Sequence, residues 1–344
     1  MSKKKPSKLQ HVKTNKTVVK SLLDNMKDGH EYASIIDLAP QNMSIGEEIR
    51  RAIYDIEKIR HHPLILYVAN IIKPSPLASN SIEYYDDLPF AEMVLSVPEN
   101  EKDIDILIVT PGGLAQQVSQ FVNKTHSRFD NVSFILPYMA MSAGTIWAMS
   151  GHEIWMDERA FIGPIDPQIQ GKDGKYVPAQ AILVLLKKIE EEGQQKIKDG
   201  QNPSWSDIQI LRNMDAKEIG NAISLSQYSI DLVANYLQEY KFRDWKTHSG
   251  NDNIVTVAEK KERADSVAQK LCSHETWRTH SHGISREVAW NELQIHIDHP
   301  ETIEGFNKSI RRLWALLYYI FDSQPIAKIF ISDNYALFKM VPRG

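Results

Sequence analysis

One cysteine, Cys272, occurs in 344 residues. An internal disulfide is excluded, and a reducing, cytoplasmic setting is expected. Long apolar runs are missing as well: the longest, residues 63–72 and 313–321, fall well short of the roughly 20 residues that a membrane-spanning helix needs. Charge of one sign is scarce, since 40 basic against 44 acidic side chains leave −4 at pH 7, so no electrostatic footprint points to nucleic acid. There is no internal repeat and no long low-complexity tract. The one local imbalance is at the start, where the first twenty residues hold seven lysines and no acid. No apolar segment of signal-peptide length follows them. This stretch reads as a solvated tail, with peripheral contact to an anionic membrane as the functional alternative.

What is present can build a sizeable core: 42% of the residues are hydrophobic and 24% charged. Ile49, Ile53, Ile56 and Ile59 recur at helical spacing over residues 46–60, and residues 64–71 then read as a buried strand. A helix over 86–94, a strand from Ile104, a helix over 115–126 and a strand over 132–137 continue the alternation that a parallel sheet requires. Short strands are expected at 154–156 and 161–162. Helices follow over 178–197 and 205–242, then another within a His-rich stretch at 255–300, and an amphipathic helix at 303–321. The division that results is a basic tail and first helix over 1–45, a main domain over 46–300, and a C-terminal helical extension over 301–344.

Two loops carry the chemistry. The apolar run 104–110 ends in Pro111-Gly112-Gly113, and the run 132–137 leads to Met141-Ser142-Ala143-Gly144, which places Ser142 at a strand-to-helix turn. Nucleophilic serines occupy such turns. Amide cleavage also needs donors aimed at the oxyanion, and a Gly-Gly turn leaves backbone N–H groups unobstructed. Gly113 and Ala143 are the expected donors. Taken singly, a Pro-Gly-Gly is a tight turn and a serine at a helix start is a cap. Their order and their spacing of about thirty residues are what make the pair informative.

The segments TPGGLAQQVSQFV, ILPYMAMSAGT and ERAFIGPIDPQI resemble the serine peptidases of the Clp protease and crotonase fold. Within these they are similar to the serine dehydrogenase proteinases, a branch related to signal peptide peptidase A, which also has an element like Trp277-Arg278-Thr279-His280. The resemblance implies an α/β fold with a Clp/crotonase-like β-α-β spiral core and extra helices at both ends. It implies Ser142 as nucleophile, with Gly112, Gly113 and Ala143 around an oxyanion hole. It further implies a peptide or protein substrate, a homo-oligomer and no cofactor. Ala143-Gly144 stands where the branch has Gly-Gly, and Thr110 where it has His. The added methyl leaves the N–H of Ala143 available.

The base is open to two readings. A Ser-His-Asp triad of the Clp type would place a histidine some two dozen residues beyond Ser142, and residues 161–170 contain none. A Ser-Lys dyad is therefore favoured, with Lys217 the lysine that best matches the branch's helical one. Such a lysine must be neutral, and so buried. His280 is the runner-up base, and Asp166 could orient a base. Cys272 with His274, and His280 with His282, fit no familiar zinc spacing, so no metal is expected. An acyl-CoA enzyme of the crotonase type, and a scaffold without catalysis, are the competing functions.

Overall fold

The computed structural model describes residues 21–38, 44–171, 174–248 and 253–342. The basic tail lies outside the described residues. Two short helices, α1 (Leu22–Asn25) and α2 (Glu31–Leu38), precede the longer α3 (Ile45–Arg60). Ser44 caps α3 by accepting the Glu47 N–H, and His61 ends it in the left-handed region. Strand β1 (Leu64–Ala69) follows, then α4 (Asp87–Leu95), β2 (Asp103–Val109), α5 (Ala115–His126) and β3 (Asn131–Leu136). The two-residue β4 (Met139–Ala140) leads into α6 (Ala143–Ala148), β5 (Glu153–Met156) and β6 (Phe161–Ile162). Strands β1, β2, β3 and β5 pair in parallel, as the alternating pattern predicts.

Both faces of this sheet are covered, which is why its strands are continuous apolar runs. Ile65, Tyr67, Ile106, Ile108, Phe134 and Ile154 face one core, with Phe90, Phe121 and Trp147 from α4, α5 and α6. Their neighbours in sequence, Leu64, Leu66, Val68, Leu107, Val109 and Ile135, face a second core closed by Ile49, Ile53 and Ile56 of α3.

Beyond β6 a small hairpin, β7 (Gln168–Gln170) with β8 (Tyr176–Pro178), opens a helical layer: α7 (Ala179–Lys198), α8 (Trp205–Asn213) and α9 (Ala216–Tyr236). The helical stretch expected over 205–242 is broken at Met214 and Asp215, where Asp215 caps α9 by accepting the Lys217 N–H. Helix α10 (Val257–Cys272) begins with a capping box formed by Thr256 and Glu259. Single turns α11 (His274–Trp277) and α12 (Arg286–Val288) then lead to α13 (Phe306–Ser323), whose Ile310, Leu313 and Leu317 complete the second core.

The extension expected to be helical over 301–344 is so only as far as Ser323. Strands β9 (Ile326–Ile331) and β10 (Ala336–Met340) form a hairpin, and β9 adds antiparallel to β1, giving the order β10-β9-β1-β2-β3-β5. The physical reason is Lys328. Its charge interrupts an otherwise apolar run, yet it is fully buried because partners remote in sequence neutralise it. Among the described residues no helix is long and apolar enough to cross a membrane.

Candidate active site

Ser142 stands between β4 and α6 with φ 53° and ψ −118°, a positive φ that side chains other than glycine rarely adopt. The packing around it over-determines this strained turn. Trp147, one turn into α6, is fully buried against Tyr67, Phe90 and Phe121, with ring centroids 5.3, 5.3 and 5.0 Å away. The other end of the turn is fixed by β4, which pairs in parallel with β6. Thr110, at the end of β2, donates its N–H to the Met139 carbonyl and accepts the Met141 N–H, both at 3.0 Å. Those two bonds lay the glycine loop alongside the serine turn.

The approach is close enough to require glycine. A Cβ on Gly112, which has φ 103°, would lie 2.7 Å from the Met141 carbonyl oxygen and 2.7 Å from the Ser142 Cβ. A Cβ on Gly113, at φ 147°, would lie 2.2 Å from the Ile82 carbonyl oxygen. Ile82 donates its N–H to the Gly112 carbonyl at 2.7 Å and accepts the Leu114 N–H at 2.9 Å, so the loop is registered against residues 81–83 as a strand would be. In such a parallel bridge the N–H of Gly113 points away from Ile82.

The three backbone groups assigned to the oxyanion hole therefore differ. The Gly112 N–H is engaged by Thr110 Oγ1 at 3.1 Å, whereas those of Gly113 and Ala143 have no acceptor among the described residues. Ser142 is half-exposed, and its hydroxyl likewise has no hydrogen-bond partner among the described residues, although it sits at a helix cap position. A serine that declines to cap its helix is available for other work.

Asp166 and His280, more than a hundred residues apart, meet here. His280 Nδ1 lies 2.8 Å from Asp166 Oδ1, with Asp166 only 2% exposed and its other oxygen buried without a partner. The backbone brings the segments that carry this pair next to the serine turn. Thr145 Oγ1 accepts the Gly163 N–H at 2.9 Å, and a Cβ on Gly163 would meet the Met141 side chain at 2.4 Å, which brings the segment leading to Asp166 beside the serine turn. Ile162 exchanges two backbone hydrogen bonds with Ile284, which delivers the stretch containing His280 to the same place. His280 thus reaches the neighbourhood of residues 161–170 from farther along the chain. The family-like element Trp277-Arg278-Thr279-His280 points to the histidine, but no spacing in the chain pairs it with Asp166. Nor does any spacing reveal Ile82, Thr110 or Thr145.

Lys217 is exposed in the first turn of α9, where its backbone N–H binds the Asp215 carboxylate at 2.8 Å. No hydrogen bond or ion pair joins its ammonium to Ser142. Burial pushes the Lys241 ammonium below its usual range, but Lys241 pairs with Asp298 near the start of β5, at the opposite end of the sheet from the two loops. Burial also pushes the Cys272 thiol up to about 12, which removes it as a competing nucleophile. Among the described residues no cluster of His, Cys, Asp and Glu could hold a metal ion.

Residues 86–238 match the family described as ClpP-like SDH-type serine proteinase. Two uncharacterized proteins of Methanocaldococcus jannaschii are similar in part. One is 38% identical over 99 residues, which cover 29% of this chain and 32% of the relative. The other is 42% identical over 80 residues, covering 23% and 26%. The chain thus spans about a third or less of the length of these relatives. A solved structure of a membrane-bound stomatin-specific protease is 16% identical, covering 63% of this chain and 74% of that one, with a TM-score of 0.36.

Proposed function

Residues 86–238 belong to the ClpP-like SDH-type serine proteinases, and on that footing we propose that this chain is a serine endopeptidase acting through an acyl-enzyme on Ser142. One observation carries the reading: an unbonded hydroxyl on a strained turn, pressed against a glycine loop, with two unpaired backbone N–H groups on either side. The Ser142 oxygen attacks the scissile carbonyl, and its proton passes to a base. The N–H groups of Gly113 and Ala143 stabilise the oxyanion, each worth roughly 3–4 kcal/mol by analogy with other holes. Collapse expels the amine, which takes up the proton, and water then hydrolyses the ester by the same steps in reverse.

The base in this reading is His280, and its bond to a buried carboxylate is what supports it. With Nδ1–H donated to Asp166, the lone pair on Nε2 is free to accept the serine proton, and Asp166 holds the ring and stabilises the imidazolium. The chain order would be Ser142, Asp166, His280. The alternative base, Lys217, rests on the family resemblance, and its side chain is exposed in the first turn of α9. The substrate is proposed to be a peptide or an unfolded protein segment, and the assembly a homo-oligomer. No cofactor enters the scheme. Peripheral membrane contact through the basic tail is kept as part of the proposal.

Labelling with a fluorophosphonate, followed by mass spectrometry of the adduct, tests both halves. The wild type should label on Ser142, Ser142→Ala should not, and His280→Ala should label at least 100-fold more slowly while Lys217→Ala stays near the wild-type rate. The reverse pattern in the last two would restore the Ser-Lys dyad. A folded wild type that never labels would favour a scaffold, and acyl-CoA turnover without labelling would favour a crotonase-type enzyme.

A further inference from the structure

Lys328 carries a full charge into the interior. It lies in the middle of β9, across from Ala69 of β1 and Lys339 of β10, and is 0% exposed. Its ammonium reaches the Ser81 carbonyl at 2.6 Å, both oxygens of the equally buried Asp86 at 2.8 and 2.9 Å, and Glu83 Oε1 at 3.2 Å. Asp86 also accepts the Tyr67 hydroxyl at 2.8 Å, the Glu83 N–H at 3.1 Å and the Lys339 ammonium at 2.6 Å. Two cations and two carboxylates balance, so the burial is compensated.

The position of this cluster matters more than its balance. Ser81 and Glu83 flank Ile82, which registers the glycine loop from behind through the Gly112 carbonyl and the Leu114 N–H. Residues 79–83 form no named helix or strand of their own that would fix them there. Besides the buried Ile82 side chain and the Asp86 N–H on the Glu83 carbonyl, they are held by Lys328 on Ser81 and Glu83, Asp86 on the Glu83 N–H, and Asn80 on the Asn70 carbonyl at 2.9 Å. An ammonium has three donors and tolerates little displacement of its acceptors, so it fixes a place where apolar packing would only fill one.

We propose that Lys328 is a positioning residue for the oxyanion loop: by holding Ser81 and Glu83 it sets Ile82, and through Ile82 the direction in which Gly113 presents its N–H. The C-terminal hairpin is then part of the machinery for oxyanion stabilisation, although it touches neither substrate nor nucleophile. This inference rests on the serine peptidase reading of Ser142.

The test compares Lys328→Met, which keeps the volume and removes the donors, with Lys339→Met, which disturbs the same carboxylate but not Ser81. Steady-state cleavage of a peptide substrate and hydrogen exchange over residues 80–83 and 110–116 are the two readouts. Lys328→Met should lower kcat by about 100-fold with KM little changed, weaken a peptide aldehyde inhibitor in parallel with kcat, and speed exchange in both segments. Lys339→Met should stay within a few-fold of wild type in all of these. If Lys328→Met fails to fold, the double variant Lys328→Met with Asp86→Asn, which leaves no buried carboxylate uncompensated, takes its place with the same expectations. Wild-type kcat together with unchanged exchange in a folded Lys328→Met would overturn the proposal. A wild type without peptidase activity would overturn the reading of Ser142 instead, while the exchange data would still decide whether Lys328 fixes the loop.

Discussion

Gly112 and Gly113 are adjacent and identical in type, yet they do different things. Gly112 lets the loop come within contact distance of Ser142 and spends its own N–H on Thr110, while Gly113 leaves its N–H unpaired. Gly112→Ala should therefore abolish measurable turnover, because the new methyl collides with the Met141 carbonyl and the Ser142 Cβ and drives the two loops apart. The same change should cost roughly 1–3 kcal/mol of stability from strain at positive φ, read from urea denaturation. The sequence made this pair of loops legible, since Pro111-Gly112-Gly113 and the turn at Ser142 are local signals. It did not separate the glycines by role, because that depends on which N–H the Thr110 hydroxyl captures. His280 and Asp166 were legible as candidates, a runner-up base and a residue able to orient one, but not as a pair. Their meeting depends on the backbone exchange between Ile162 and Ile284, for which no spacing in the chain is diagnostic.

Strands buried on both faces and helices with an apolar stripe announce themselves, and α3, β1, β2, α5 and β3 lie where the pattern placed them. The hairpin of β9 and β10 did not, because a lysine in the middle of a strand reads as a surface position until Asp86 is seen beside it. A second buried charge cluster ties α3 to the sheet. Arg60 binds Asp105 of β2 at 2.9 Å and Glu153 of β5 at 2.7 Å, with Asp105 fully buried. Removing the guanidinium leaves the buried Asp105 carboxylate with only His62, at 3.3 Å, as a cationic partner, so Arg60→Met should lower stability by about 3 kcal/mol. Adding Asp105→Leu should recover most of that loss, and chemical denaturation of the single and double variants measures both.

For the molecule as a whole, pH should act through histidines buried in neutral form. His126, stacked on Tyr240 with ring centroids 3.6 Å apart and bonded through Nε2 to the Ser150 carbonyl at 2.9 Å, is pushed by burial down to about 4. The unfolded chain takes up that proton near 6.5, so between about 6.5 and 4 it binds more protons than the native state and stability falls as the pH falls. The loss should approach 2–3 kcal/mol at the acid end, since each unit is worth about 1.4 kcal/mol. Denaturation midpoints across this range should slope less steeply in His126→Gln, with a residue of slope left because His152 is also held low by burial. The backbone at Ser142 has a different whole-molecule consequence, since its φ of 53° suits an achiral residue better than serine. A descendant released from selection for catalysis would gain thermal robustness by drifting to glycine at that site. On the serine peptidase reading, melting temperature and turnover are thus set against one another at a single codon.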